Sequence, residues 1–292
     1  MKRLFTAVLL TIMLLGGKSV TAADLRLVII DVGMGQSVLL VEDGHGLLID
    51  TGLAASAPHV LARMEEHGVR ELDYLILSHL HPDHAAGYPA IREAWPETPV
   101  LDNCHLPAEI ESSNRDLILK IGDALAQDPL RSCLSAGDRL QWQGHELQVL
   151  WPGTPQGKDL NHNSLVLLFS SREGAQVLIM GDVDKEVEKG LATALPPSLV
   201  KKAAAVYVAA HHAAEDSTEP RFLRRIRPHF SVVSVGRDNI YGYPADESLA
   251  TLEEYSGTVL RTDRDGEVCF VLKGNDSIYC GGKGRGKQSV QP

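Results

Sequence analysis

The run His79-x-His81-x-Asp83-His84 gathers three imidazoles and a carboxylate into six residues. A strand that ends in a loop can turn His79 and His81 to one side, while Asp83 and His84 reach a second point a few ångströms away. Imidazole and carboxylate together suit zinc, manganese or iron, and two such points side by side make a dinuclear hydrolytic centre. Taken alone, the run also fits a surface loop that happens to hold three histidines. Three later features weigh against that. Asn161-His162-Asn163-Ser164 precedes a strand-like run, Met180-Gly181-Asp182 follows the next, and His211-His212 follows a third. Each candidate ligand therefore falls at a strand edge, where the loops of a sheet converge. An isolated Asp or His is more often a turn residue. Four strand edges point to one site.

Those residues need a scaffold, and the patterning supplies one. Leu25 to Ile30 and Ser37 to Val41 are β-rich runs around Gly33-Met34-Gly35, and Gly44-His45-Gly46 turns into a third run, Leu47 to Asp50. Helical spacing covers Pro58 to His67, with Gly68 as C-cap. Leu72 to Leu77 predicts a buried strand that runs straight into the histidine motif, and Ala85 to Ala94 suits a helix. Trp95 to Gly144 reads as irregular apart from a helix over Ser113 to Gln127. Strands follow at Glu146 to Trp151, Ser164 to Ser170, Gln176 to Met180, Ala204 to Ala209 and Phe230 to Val235, with a helix at Glu186 to Ala194. A helix at Glu247 to Tyr255 and a cysteine-bearing hairpin come next. No Pro/Gly/Ser-rich linker interrupts this order. It predicts one α/β domain over residues 23–280, then a flexible polar tail over 281–292.

Residues 1–22 read as a secretory signal, with Lys2 and Arg3, an apolar run from Leu4 to Leu15, and small residues at Val20-Thr21-Ala22. Twelve apolar residues fall short of the about 20 that span a bilayer. The expectation is cleavage and export, periplasmic or secreted, with no stable membrane insertion afterwards. An even set of cysteines, Cys104, Cys133, Cys269 and Cys280, suits disulfides in such a compartment. Gly274-Asn275 fits a two-residue hairpin turn that sets Cys269 opposite Cys280, leaving Cys104 for Cys133. A structural zinc site is the alternative, but neither pair has short ligand spacing.

The formal charge is −10, and it falls to about −13 without Lys2, Arg3 and Lys18. Such a surface repels phosphate backbones, so extended nucleic acid is disfavoured as a partner. Arg221, Arg224, Arg225 and Arg227 form either an anion-binding face or one solvated side of a helix. His45, His59, His67, His105, His145 and His229 lack motif context and read as surface or structural.

With these residues in view, the chain resembles the metallo-β-lactamase superfamily, and within it the stand-alone relatives of the C-terminal domain of the competence protein ComEC. The resemblance rests on Asp31-Val32-Gly33-Met34-Gly35-Gln36-Ser37, Leu48-Ile49-Asp50-Thr51-Gly52, the histidine run, Asn163-Ser164, Gly181-Asp182, His211-His212, Ser234-Val235-Gly236-Arg237, Tyr241-Gly242 and Arg261-Thr262-Asp263. It implies a four-layer αβ/βα sandwich with two divalent metal ions, zinc first and manganese or iron next, at one edge of the paired sheets. His79 and His81 would then bind one metal, Asp83 and His84 the other, with Asp182 bridging and His212 completing the second. His211 would stand behind the metals or donate a proton, and Asp83 would also orient the attacking water. His162 stands where many members carry a third histidine and where this subgroup often has Asn. The chain departs from the subgroup at Gly33-Met34-Gly35-Gln36, His211-His212-Ala213-Ala214 and Tyr241-Gly242-Tyr243-Pro244, where Gly-Gln-Gly-Asp, His-His-Gly-Ser and Tyr-Gly-His-Pro are usual.

The resemblance implies hydrolysis of phosphodiester or phosphoester bonds, as a phosphodiesterase or nuclease. The acidic charge narrows this towards small phosphoesters or cell-surface substrates. A β-lactam or lactone hydrolase is the second reading. A non-catalytic accessory protein of DNA uptake or cell-surface assembly is the third, and an intact ligand set counts against it.

Overall fold

The computed structural model describes residues 24–202 and 204–280, so the expected signal over 1–22 and the tail over 281–292 lie outside the described residues. The strands are β1 (Arg26–Ile29), β2 (Val38–Glu42), β3 (His45–Ile49), β4 (Glu71–Leu77), β5 (Val100–Asp102), β6 (Arg131–Cys133), β7 (Arg139–Trp142), β8 (His145–Trp151), β9 (Val166–Ser170), β10 (Gln176–Ile179), β11 (Val206–Val208), β12 (Phe230–Val233), β13 (Thr258–Arg261), β14 (Val268–Lys273) and β15 (Asp276–Tyr279). The helices are α1 (Ala57–Glu66), α2 (Pro82–Ala85), α3 (Tyr88–Ala94), α4 (Arg115–Ala126), α5 (Lys185–Ala194), α6 (Pro197–Lys201), α7 (Pro220–Ile226), α8 (Asp246–Tyr255) and α9 (Thr262–Asp265).

Two sheets form, in the orders β15-β14-β1-β2-β3-β4-β5-β6 and β13-β12-β11-β10-β9-β8-β7. Side chains alternate along each strand, so each sheet has two apolar faces to bury. Leu27, Ile29, Leu40 and Ile49 of the first sheet meet Phe169, Val177, Ile179 and Val208 of the second. Their neighbours Val28, Ile30, Leu39 and Leu48 instead face α1, α3 and α4 through Val60, Met64, Ile91 and Ile118. Across the molecule, Leu178, Met180 and Tyr207 pack on α5, α7 and α8 through Val187, Phe222 and Leu252. Each buried aliphatic or aromatic side chain contributes about 1.5–3 kcal/mol. The outcome is the expected single-domain, four-layer αβ/βα sandwich.

Parallel pairing decides where the loops meet. β3 runs parallel to β4 (Ile49 opposite Ile76), β10 to β11 (Ile179 opposite Val208), and β11 to β12 (Val208 opposite Val232). Parallel neighbours finish at the same edge. Asp50, Ser78, Asp182, His211 and Ser234 all follow such strand ends closely.

The stretch expected to be irregular holds β5, β6 and β7. Strands of three or four residues are too short for alternation to register. Arg131 of β6 donates to both oxygens of the buried Asp102 at 2.8 Å, and Cys104–Cys133 is disulfide-bonded beside them. The helix expected over Ala85 to Ala94 is two helices, α2 starting three residues earlier at Pro82 and α3 following Gly87. A side chain at Gly87 would meet the Thr51 carbonyl oxygen at 2.7 Å.

One expected disulfide is corrected. Cys269 and Cys280 are free thiols, with sulfurs 2.7 Å apart. The hairpin register brings them together, with Lys273 opposite Asp276 and the Cys280 N–H donating to the Cys269 carbonyl at 2.8 Å. Proximity is set by the fold, whereas joining them needs an oxidant. The arginine run resolves as α7, which buries Phe222, Leu223 and Ile226 and leaves Arg221, Arg224 and Arg225 exposed. It is a solvated helix face.

Candidate metal centre

The histidine motif begins where β4 ends. Leu80 is fully buried in the core beneath α1 and α3. His79 and His81, one residue either side, therefore project the other way, and His79 Nε2 stands 3.1 Å from His81 Nδ1. Pro82 then opens α2 as its first residue, where its missing N–H costs nothing. One turn of helix carries Asp83 and His84 round to the neighbouring point. Gly35 makes room for this: it has φ +130°, and a Cβ there would stand 2.2 Å from the Asp83 carbonyl oxygen.

Two groups of donor atoms result, His79, His81 and Asp182 in one, and Asp83, His84, Asp182 and His212 in the other. Asp182 belongs to both. His212 Nε2 lies 3.3 Å from Asp83 Oδ2 and 3.6 Å from Asp182 Oδ2.

Behind these atoms a second set of contacts fixes the rings. His84 Nδ1 faces Asp50 Oδ2 at 2.8 Å, so that nitrogen carries the proton. Asp50 itself accepts from Gln36 Nε2, Ser78 N and Ser78 Oγ at 2.7–2.8 Å. His212 Nδ1 donates to the Ser234 carbonyl at 2.7 Å. With those protons placed, neutral rings at His84 and His212 would aim Nε2 lone pairs at each other across 3.3 Å. That arrangement is repulsive unless positive charge lies between them. The buried Asp182 Oδ1 likewise has, among the described residues, only the approach of His84 Nε2 at 3.1 Å. The donor set fits two cations, with the ring N–H groups tied back to carboxylate and carbonyl as metal-binding histidines require.

The titration of these groups reports the same demand for charge. Burial opposes protonation of His84, but the carboxylates of Asp182 and Asp50 outweigh it and hold the ring well above the ordinary histidine value. Burial, with His84 beside it, pushes His79 well below that value. Burial also works against ionised Asp182, yet His84 and His212 keep its carboxyl well below the ordinary range. Asp83 follows the same logic, burial being overcome by the His212 hydrogen bond and His84.

His211 and His212 occupy left-handed backbone, φ 46° and 53°, and Ala213 and Thr218 do too, at 58° and 73°. Such conformations cost about 1–3 kcal/mol each for residues with a Cβ. His211 is held by its N–H on the Gly181 carbonyl at 3.0 Å and by Nδ1 on Asp216 at 2.8 Å. Burial lowers its basicity, but Asp216 and the charge of Asp182 raise it above the ordinary value. His211 lines a cavity of about 350 Å³ together with His81, Asp83, Asp182 and His212.

His162 is not brought to either group. Its Nδ1 bonds Asp184 Oδ2 at 2.7 Å, and its ring stands edge-on to Trp151. Asp184 is the N-cap of α5, and the Trp151 indole donates to the His162 carbonyl, so the loop is pinned with its histidine turned aside. Asn161 takes the cavity position instead, with Nδ2 3.2 Å from His211 Nε2.

A family model described as the metallo-beta-lactamase superfamily matches residues 30–237. The chain belongs to the metallo-beta-lactamase superfamily. It is 30% identical over 243 residues to "Competence protein ComA" of Neisseria gonorrhoeae, covering 83% of this chain and 31% of that protein. It is 28% identical over 278 residues to "ComE operon protein 3" of Bacillus subtilis, covering 86% and 34%. The chain thus spans about a third of the length of these relatives. Among solved structures, it is similar to the metallo-beta-lactamase fold protein YhfI of Bacillus subtilis, with 13% identity and a TM-score of 0.49, covering 81% of this chain and 95% of that one. The superfamily fold supports a metal-dependent hydrolase in general and usually binds two divalent metals.

The sequence motifs contained Asp50, Gln36 and Ser234 without revealing their roles. A carboxylate at the end of the apolar run Leu47 to Ile49 was the available signal for Asp50, since an acid there needs buried partners. Asp216 had no such signal.

Proposed function

We propose that this chain is an exported, dinuclear metal-dependent hydrolase of phosphoester bonds, acting on small phosphodiesters or cell-surface phosphoesters. The observation that carries the reading is Asp182, whose one carboxylate belongs to both donor groups. Two divalent ions held there would supply Lewis-acid charge and lower the pKa of water at the site. Zinc is the first choice for imidazole and carboxylate ligands, then manganese or iron. His211, oriented by Asp216, faces the cavity and is placed to give a proton to a leaving oxygen. Asp83 is placed to orient the attacking water.

Charge around the cavity supports a short substrate. Glu111 lines it, and Glu215, Asp216, Asp246 and Glu247 line the adjoining one beside Tyr241 and Tyr243. A chain of phosphates would meet repulsion along that rim. Export rests on the pattern of residues 1–22.

The test is hydrolysis of bis(p-nitrophenyl) phosphate by zinc- or manganese-loaded protein, with a penicillin and a carbapenem run in parallel. The expected result is diester turnover and little or no lactam turnover. Lactam turnover without diester hydrolysis would overturn the phosphoester reading. N-terminal sequencing of protein recovered from the periplasm or medium should begin at residue 23 or 24.

A further inference from the structure

Glu188 is a fully buried carboxylate on α5, six residues after Asp182 and outside both donor groups. Its Oε1 accepts from the Tyr207 hydroxyl at 2.9 Å, and its Oε2 accepts from the Glu219 N–H at 2.7 Å. The Thr218 backbone amide also favours its ionised form. Tyr207 lies on β11, equally buried, and its hydroxyl oxygen accepts from the Ala210 N–H at 3.5 Å. Ala210 and Glu219 bound the segment that presents His211 and His212. Four of the non-glycine residues between them, His211, His212, Ala213 and Thr218, have left-handed backbone. A segment strained at that many points keeps its shape only if its ends are over-determined.

From this we infer that Glu188 and Tyr207 are positioning residues for the His212 half of the metal centre. The tyrosine hydroxyl fixes the start of the segment, the carboxylate fixes its end, and their mutual hydrogen bond sets the span between. Other bonds hold the middle of the segment, the His211 N–H on Gly181 O and the Ser248 hydroxyl on Ala214 O at 2.7 Å. The buried pair joins the two ends through one contact. The other donor group takes His79 and His81 from the loop after β4, which the pair does not touch, and shares only Asp182 with the first. Loss of the pair should therefore be felt on one side of the centre. The inference rests on the metal-centre reading, not on the substrate.

The experiment is stepwise titration of metal-free protein with cobalt(II), followed by absorption, for the wild type, Tyr207→Phe, Glu188→Gln and His212→Ala. His212→Ala identifies which step belongs to the His212 group. The expected result is that Tyr207→Phe and Glu188→Gln weaken that step by about 10-fold or more, the range for losing an outer partner of a metal ligand. The other step should stay within about twofold of wild type. Leu272→Ala, a core truncation in β14 of the opposite sheet, controls for general loosening and should leave the ratio of the two affinities unchanged. Unchanged affinity in both variants overturns the inference, and so does equal weakening of both steps. Wild-type protein that binds no cobalt overturns the metal centre itself, which separates that failure from failure of the positioning role.

Discussion

The carboxylate of Asp182 turns Oδ1 to His84 Nε2 at 3.1 Å and leaves Oδ2 for His79 Nε2, 3.8 Å away. One side chain thus stands between imidazoles of both donor groups, His79 and His84 reaching it from the same loop. Removing it takes a ligand from both groups, whereas removing His162 takes one from neither.

Asp182→Ala should therefore abolish uptake of both metals, while His162→Ala keeps both. Elemental analysis of protein made in metal-replete medium measures the difference. His81→Ala should lose activity and stay folded, because its ring faces the cavity and not the core. Equal metal content in Asp182→Ala and His162→Ala would remove the shared-carboxylate reading.

His211 touches the cavity but belongs to neither donor group. His211→Ala should lower kcat on an activated diester by about 10²–10⁴-fold, the contribution of a positioned proton donor, with metal content unchanged. Asp216→Asn should lower kcat less, since the ring stays but loses the partner that orients it. Kinetics alongside metal analysis separates a proton-transfer role from a lost ligand.

Burial pushes the Glu188 carboxyl up to about 7 from 4.5, against the hydrogen bonds from Glu219, Tyr207 and Thr218 that favour the ionised form. Below pH 4.5 both folded and unfolded chains hold the proton. Between there and about 7 the unfolded chain has released it while the folded chain keeps it, so stability falls as pH rises, by about 3 kcal/mol across the window. Denaturant midpoints from pH 4.5 to 8 measure this. Glu188→Gln should flatten that contribution, while lowering stability overall, because its NH2 must face either the Tyr207 hydroxyl or the Glu219 N–H, both of which donate to the carboxylate. An unaltered pH slope in the variant would exclude Glu188 as its source.

The Cys269 thiol, hydrogen-bonded to Cys280 and half-buried, is held above its ordinary pKa, and the same bond draws Cys280 down. Cys280 is also the exposed partner. A thiol-alkylating reagent should therefore modify Cys280 first, and mild oxidation should join the pair without disturbing the sheet. Peptide mapping of protein from its native compartment should show Cys104–Cys133 joined. Reducing that bond should cost about 2–4 kcal/mol.

Much of this protein is determined by local sequence. The apolar β-rich runs Leu25 to Ile30 and Gln176 to Met180, helical spacing in Pro58 to His67, and the Gly274-Asn275 turn each act within a few residues, and the structure keeps all of them. The histidine run is similar. Leu80 must enter the core beneath α1 and α3, so His79 and His81 must turn away from it, and Pro82 must start a helix that carries Asp83 and His84.

Only tertiary structure decided the rest, because it depended on contacts between residues far apart in the chain. Nothing near Asn161-His162-Asn163 says which side chain enters the cavity, and the choice falls to Trp151 and Asp184, which hold His162 aside. Asp50 became the partner of His84 through the parallel register of β3 and β4, across 34 residues. β5 and β6 exist because neighbouring strands complete their hydrogen bonds, not because three residues prefer to be extended. Glu188 is the clearest case. An acid on a helix reads from sequence as solvated, and the fold buries it where the Tyr207 hydroxyl and the Glu219 N–H donate to its two oxygens and offset part of the cost of leaving water.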